Sequence, residues 1–356
     1  MAIAVFIKQL SVGGAEKQSL LLTRELQKHY PAYLVVWSRK IVSPGYQDFI
    51  EMNNLNVIFL EGPALHKAFF LWRFLKEKRV SFLFNFLLIN NFVGGLTGRL
   101  ARVRKIYGGI RNCEIASGKL LWQKIVHNYI SHYTIFNNYA GTVALSKQGF
   151  RKDKMLVIHN GIDVDGEMYL RQEALVPVIF TAARFLPQKD YFTALKAIQI
   201  LKRRGRNFRY VIAGYGPQEN EIKSAIKELE IEDCIQMKVA PDNIKELYRE
   251  ADIYLSTSLK EGLSNSIMEA MAAALPVVAT NVGDNEHLVE NGRTGYLADR
   301  KSPVQIADAL EKLLDNYQSV LQMGGKGFQR LKDKFSTRLF LNRYKALISD
   351  DRQEPK

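Results

Sequence analysis

The sequence predicts an α/β protein of two doubly wound parallel-sheet domains, and three observations carry that prediction. Short apolar runs alternate with helix-length segments along most of the chain, the pattern of strands joined by helical crossovers. Some of those runs, Phe82 to Leu88 above all, are apolar almost without interruption, as a strand covered on both faces requires. The pattern ends near Asp165 and restarts at Val178, and a length of 356 residues is that of two domains.

In the first half, Ile3 to Ile7 reads as the opening strand. The first ten residues hold one short apolar run with no basic leader, so they read as that strand and not as a signal peptide. A Gly13-Gly14 loop follows, then a helix carrying Leu20, Leu21, Leu22 and Leu26. Tyr33 to Trp37, Val57 to Leu60, Phe82 to Leu88, Lys105 to Tyr107, Thr142 to Leu145 and Met155 to Ile158 read as further strands. The uncharged stretch Val80 to Gly98 is long enough to suggest a membrane span, but its three asparagines and three glycines suit a buried strand leading into a helix better. Residues 1–165 form the predicted first domain. Val164 to Pro177 is polar and irregular, as an interdomain connection should be.

The second domain, 166–336, begins its strands at Val178 to Thr181. A helix running to about Arg203, a strand at Arg209 to Ala213, a Gly214-Tyr215-Gly216-Pro217 turn and a helix follow. Cys234 to Lys238 reads as a strand and Asp242 to Arg249 as a helix. Ile253 to Thr257 and Pro276 to Thr280 read as strands flanking a small-residue helix, one βαβ unit. Gly283 and Asn291-Gly292 mark turns, and three helices finish the chain. Asp350 to Lys356 reads as a frayed tail.

Composition narrows the function classes. Cys113 and Cys234 lie far apart, and six histidines form no metal-ligand spacing, which speaks for a reduced, cytoplasmic setting and against structural zinc. Of the net charge of +14, residues 1–165 carry nearly all: 22 Lys+Arg against 10 Asp+Glu, compared with 28 against 26 in the remainder. Such an excess on one half suits an anionic membrane surface, a polyanionic acceptor or nucleic acid. Aromatic and apolar residues interleave with the basic ones there (Phe69, Phe70, Trp72 and Phe74, then Lys119, Leu120, Leu121, Trp122 and Lys124), a mixture suited either to an anionic bilayer or to amphipathic helices packed on a sheet.

The chemistry concentrates in Glu261 to Glu269, E-G-L-S-N-S-I-M-E. It lies where a strand gives way to a helix, the end of a parallel sheet at which ligands bind. Ser264 is placed to cap that helix, and the free amides of a first turn attract phosphate. Two carboxylates beside them suit the hydroxyls of a sugar. The site therefore fits a ligand that carries both groups.

The E-x7-E spacing before a small-residue helix resembles the signature of the family 4 glycosyltransferases, retaining enzymes of the GT-B fold, in which two Rossmann-like domains face a cleft. The resemblance runs most strongly from Arg184 to Tyr296. It implies that Glu269 holds the ribose of a nucleotide sugar and that Glu261 contacts the donor sugar, with Gly262, Leu263 and Ser264 beside them. It implies that Arg184 and Lys189, five apart after a strand, bind the donor pyrophosphate. Fixed cations there stabilise a departing diphosphate in the transition state more than in the ground state. Gly214, in a turn resembling the family's G-x-G-P, shapes the nucleotide site. Gly13 and Gly14, in S-V-G-G-A-E-K, resemble the G-G-A-E loop that faces donor and acceptor; the segment is not the GxGxxG of dinucleotide binders. Arg111, after a first-domain strand, is a candidate for acceptor or phosphate. Asn160-Gly161-Ile162-Asp163 matches the segment that closes the family's first domain, and Asn291 to Tyr296 its N-G-x-x-G. The last helix, about 337–349, then packs back on the first domain.

The sequence departs from the family at three places. Asp190 stands where a glycine often follows the lysine, Val239 where a glycine is frequent near the base, and Asn90 and Asn91 where many relatives carry a histidine. Asp163-Val164-Asp165 spells the metal motif of the other large glycosyltransferase fold, but nothing around it supplies that fold.

The reading is thus a retaining, metal-independent hexosyltransferase with no cofactor beyond its donor. It moves sugar from a nucleotide-diphosphate sugar to a glycan or lipid-linked acceptor in cell-surface polysaccharide or lipid-linked glycan synthesis. It acts in the cytoplasm, peripherally on the inner face of the cell membrane, and nucleic acid is not an expected partner. Two alternatives stay open: a nucleotide-sugar epimerase of the same fold, and a non-enzymatic basic protein that binds membrane or nucleic acid.

Overall fold

The computed structural model describes residues 1–111, 115–164, 166–169 and 171–350. Asn112, Cys113, Asp165 and the tail beyond residue 350 lie outside the described residues. The chain divides into two compact units, one of residues 1–161 together with the final segment from Thr337, the other Ile162–Ser336.

The first unit runs β1 (Ala2–Ile7), α1 (Gly14–Gln27), β2 (Ala32–Val36), α2 (Pro44–Met52), β3 (Val57–Phe59), α3 (Ala64–Glu77), β4 (Val80–Asn85), α4 (Leu88–Leu100) and β5 (Lys105–Ile110). Next come α5 (Ser117–Ile125), extended by a π-helical turn Val126–Ile130, then β6 (Tyr133–Phe136), α6 (Tyr139–Ser146) and β7 (Met155–Val157). Every strand pairing is parallel, in the order β3-β2-β1-β4-β5-β6-β7. That is the doubly wound order, with its reversal between β1 and β4. Val5, Phe6 and Phe84 are buried, as strands covered by helices on both faces must be.

One face of this sheet packs Leu20, Leu22 and Leu26 of α1 into a core shared with Phe340, Leu341 and Tyr344 of the last helix. The other face packs Leu71 and Leu75 of α3 against Leu83 and Ile106.

The second unit runs β8 (Val178–Ala182), α7 (Tyr191–Arg203), β9 (Arg209–Gly214), α8 (Glu219–Glu228), β10 (Ile235–Val239), α9 (Ile244–Glu250) and β11 (Ile253–Ser256). It continues with α10 (Asn265–Ala272), β12 (Val277–Thr280), α11 (Asn285–Leu288), β13 (Gly295–Ala298), α12 (Pro303–Leu314) and α13 (Tyr317–Phe335). The final helix, α14 (Thr337–Asp350), belongs to the first unit. The six-stranded parallel sheet has the order β10-β9-β8-β11-β12-β13, again doubly wound, with the reversal between β8 and β11. The chain thus has the predicted fold class, two Rossmann-like α/β units.

One predicted strand is a helix. Thr142 to Leu145 lies within α6, and the strand of that region is β6, which pairs with both β5 and β7. A short apolar run does not distinguish the two states. Here Asn138 decides: its Oδ1 accepts the Gly141 amide at 2.6 Å, a helix cap. Leu145 is buried while Val143 is 55% exposed, one-sided burial that a central strand would not tolerate. The Val80 to Gly98 stretch is β4 followed by α4, and among the described residues no helix is long and apolar enough to cross a membrane. Strand β13 had no counterpart among the predicted strands.

Candidate active site

The site begins at the topological switch point of the second sheet. The loop after β8 carries Arg184 and, in a 3-10 turn Pro187–Lys189, Lys189. The loop after β11 carries Glu261 and leads into α10. Because β8 and β11 are neighbours whose crossovers leave on opposite sides, their following loops separate and leave a crevice at the strand ends.

The two loops are strapped together. The Leu259 amide donates to the Gln188 carbonyl at 2.8 Å, and Gln188 Nε2 donates to the Lys260 carbonyl at 2.7 Å. Thr257 Oγ1 reaches the carbonyls of Lys189 at 3.0 Å and Asp190 at 2.9 Å. Within that frame Lys189 Nζ meets Glu261 Oε1 at 2.5 Å, and Ser258 Oγ donates to the same oxygen at 2.7 Å. The side chains of Lys189 and Glu261 are only 17% and 10% exposed, so the pair is poorly screened by water. Arg184 is exposed and has no ion-pair partner among the described residues.

Asp190, the departure from glycine, sits at φ 48° and ψ 53°. The turn requires left-handed backbone here, which explains why glycine suits the position and why aspartate is tolerated. Its Oδ2 accepts Thr193 Oγ1 at 2.6 Å, a local bond that helps hold the conformation. At the second departure the left-handed residue is Ala240 (φ 44°), one position beyond Val239.

Glycines let the neighbouring loops close on this pair. A Cβ on Gly214 would lie 2.0 Å from the Ala183 carbonyl oxygen, beside Arg184. Gly283, at φ +58°, passes so close to the Glu261 and Gly262 carbonyls that no side chain fits. The Asp284 amide donates to the Gly262 carbonyl at 2.9 Å, so the loop after β12 buttresses the glutamate loop. Leu263 is 5% exposed and anchors that loop in the core, which leaves its backbone as the part available to a ligand.

Ser264 caps α10, its Oγ accepting the Ile267 amide at a long 3.5 Å. Glu269, one turn further, accepts Tyr248 Oη on Oε2 at 3.2 Å. Tyr248 is buried against Phe180 and Tyr254, and that burial pushes its hydroxyl well above the ordinary tyrosine range, so it stays a donor to the carboxylate. Arg171 closes the far end of the helix. Its guanidinium donates to the carbonyl of Ala273 at 2.5 Å and to those of Tyr248 at 3.2 Å and Arg249 at 2.9 Å, and also to Ala251. A cation on these last carbonyls favours the helix dipoles.

Arg184, Lys189, Gly214, Glu261, Gly262, Leu263, Ser264 and Glu269 all belong to the second unit, and of these Lys189 and Glu261 are in direct contact. Gly13, Gly14 and Arg111 belong to the first unit. Gly13 is the N-cap of α1, with extended backbone, and a Cβ there would lie 2.4 Å from the folded-back carboxylate of Glu16. Arg111 lies 4.5 Å from the Phe86 ring centroid and donates to Asn160 Oδ1 at 2.9 Å. Burial keeps the nearby Tyr344 hydroxyl protonated. Ser258, Thr257, Gly283, Tyr248 and Arg171 were not read as site residues in the sequence. Only Gly283 offered a signal, as a turn glycine; Arg171 sat in the stretch read as linker.

Residues 172–330 match the family described as "Glycosyl transferases group 1". That segment makes up most of the second unit. The chain is 34% identical over 179 residues to the amylovoran biosynthesis glycosyltransferase AmsK of Erwinia amylovora, covering 48% of this chain and 44% of that protein. It is 30% identical over 176 residues to the putative colanic acid biosynthesis glycosyltransferase WcaL of Escherichia coli, covering 47% and 43%. The matches thus span less than half the length of these curated relatives. Among solved structures, Anabaena Alr3699/HepE in complex with UDP superposes with a TM-score of 0.86 at 18% identity, over 98% of this chain and 100% of that one. The fold is shared across both units, and it is that of the GT-B glycosyltransferases.

Proposed function

We propose that this protein is a retaining glycosyltransferase that moves a sugar from a nucleotide-diphosphate sugar to an acceptor hydroxyl, in cell-surface polysaccharide or lipid-linked glycan synthesis. One observation carries the reading: Lys189 and Glu261 are paired at the switch point of the second sheet, beside the capped start of α10 and five residues from Arg184.

In this scheme the donor diphosphate lies against Arg184, Lys189 and the first-turn amides of α10. Lys189 then divides its charge between Glu261 and a phosphate oxygen. The bond from the anomeric carbon to the diphosphate oxygen breaks, and the acceptor oxygen bonds to that carbon from the same face. The acceptor's proton passes to the departing phosphate, so no protein base is required. Negative charge grows on the leaving oxygen, where the two cations stabilise it. No step calls on a metal. Glu269, oriented by Tyr248, receives the ribose hydroxyls, and Glu261 those of the sugar. Gly13 and Gly14 of the first unit are assigned to donor or acceptor contact, and Arg111 to the acceptor or a phosphate. A lipid-linked acceptor would set the reaction on the inner face of the cell membrane.

The polysaccharide context rests on the amylovoran and colanic acid relatives, and the UDP held by the Anabaena neighbour makes uridine donors the first to try. The test is release of nucleoside diphosphate from a panel of UDP-, GDP- and ADP-sugars in the presence of a bacterial membrane-lipid extract, with the product's anomeric configuration read by NMR. An inverted product would remove the retaining assignment. Epimer formed without acceptor would replace transfer with epimerisation.

A further inference from the structure

Helix α4 is packed inside out. It turns Asn90, Asn91, Gly94, Gly95, Thr97 and Gly98 inward, all buried. It leaves Ile89, Phe92, Leu96 and Leu100 at 49%, 39%, 41% and 72% exposure. Those four positions lie three, four and four residues apart, a single stripe roughly 17 Å long at the rise of an α-helix. The inward side is small because the sheet leaves no room. A Cβ on Gly98 would lie 2.9 Å from Ile106, and one on Gly94 would lie 1.9 Å from Asn85 Oδ1. The ordinary arrangement of an amphipathic helix on a sheet is the reverse.

The stripe continues onto its neighbours. The Phe92 and Trp122 rings stand 6.1 Å apart, and Leu121 and Trp122 of α5 are 64% and 60% exposed. On α3, Phe69 and Phe70 are 54% and 41% exposed. A contiguous apolar patch of this kind marks a surface that something covers. Its surroundings say what: residues 67–124 hold 12 Lys+Arg against 2 Asp+Glu. Arg99, Arg102 and Lys119 are exposed around the stripe, and Lys76 Nζ sits 5.0 Å from the Trp72 ring centroid. A second copy of this chain would bring like charge to like charge.

We propose that the α3–α4–α5 face docks on an anionic lipid bilayer, with Phe92, Leu96, Leu121 and Trp122 entering the headgroup–acyl boundary and the basic residues meeting lipid phosphates. Apolar insertion combined with basic attraction is the chemistry of interfacial helices. The inference stands on the first unit alone and is independent of the sugar-transfer reading.

The experiment is co-sedimentation of the full chain with vesicles of phosphatidylcholine, with and without phosphatidylglycerol. Binding is expected to the anionic vesicles, at least about tenfold weaker to the neutral ones, and weakened as salt shortens the Debye length. Phe92→Asp with Leu96→Asp, and separately Arg102→Glu with Lys119→Glu, are each expected to cut anionic-vesicle binding by about tenfold or more. Circular dichroism and the melting temperature should stay unchanged, since all four side chains are exposed. Trp122→Phe should abolish most of the blue shift of tryptophan emission on vesicle binding. Binding that ignores the Asp pair, equal binding to neutral vesicles, or a dimer in light scattering that the Asp pair dissociates would each overturn the proposal.

Discussion

Replacing Lys189 with methionine separates a structural ion pair from one that also holds a substrate. Methionine keeps the length of the side chain and removes its charge. Glu261, 10% exposed, would lose its cation but keep the Ser258 hydroxyl at 2.7 Å. The stability cost should fall between that of an exposed pair and that of a buried pair broken from one side, about 1–3 kcal/mol. Removing one of two cations from a departing diphosphate should lower donor turnover about 10²–10³-fold. Adding Glu261→Gln to Lys189→Met removes the carboxylate charge left facing the lost cation, so stability should largely recover while turnover does not. The assays are denaturant unfolding and release of nucleoside diphosphate. If the double variant recovers turnover along with stability, or if Lys189→Met turns over within about threefold of the parent, the pair is structural and the phosphate assignment is wrong.

Three further perturbations test the scaffold. Asp190→Ala keeps a Cβ in left-handed backbone and loses the Thr193 bond, so it should destabilise by about 1–2 kcal/mol, whereas Asp190→Gly should be close to neutral; thermal unfolding of both variants decides it. Arg171→Ala strips the cation from the carbonyls at the ends of α9 and α10 and should cost about 2–3 kcal/mol in urea unfolding, with donor affinity falling as α10 loosens. His132, whose Nδ1 accepts the Ile106 amide, has its pKa lowered to about 4 by burial and by Arg99, Lys105 and Lys154. Its folded value lies below the unfolded one, so its stabilisation is full above pH 6.5 and is lost as pH falls from 6.5 through 4. With the ring only half buried, the loss by pH 5 should be about 1 kcal/mol, and His132→Asn should flatten that slope in pH-dependent melts.

Both sheets were legible because a parallel strand covered on each face must be apolar throughout, and Phe82 to Phe84 or Ile253 to Leu255 cannot be mistaken for surface. The acidic and basic pairs were legible because each follows an apolar strand run and fits the motifs of the family the sequence resembles. Thr142 to Leu145 was misread because a short apolar run carries no period, and the cap that settles it, Asn138, acts through its side-chain oxygen on the Gly141 amide. Tyr248 and Arg171 were hidden for another reason. They reach Glu269 and the end of α10 across 21 and 102 positions of chain, and no local pattern records such a contact. The inversion of α4 was hidden too, since an asparagine-glycine stripe and a leucine-phenylalanine stripe do not announce which one faces the sheet.

Calorimetric titration of the parent, Glu269→Ala and Arg184→Ala with UDP, GDP and ADP decides whether Glu269 and the Arg184–Lys189 pair hold the two ends of one nucleoside diphosphate. One nucleotide should bind the parent, and each variant should weaken it at least about tenfold, the value of hydrogen bonds to a charged group. Dissociation constants unchanged in both variants would show that these side chains do not hold the nucleotide.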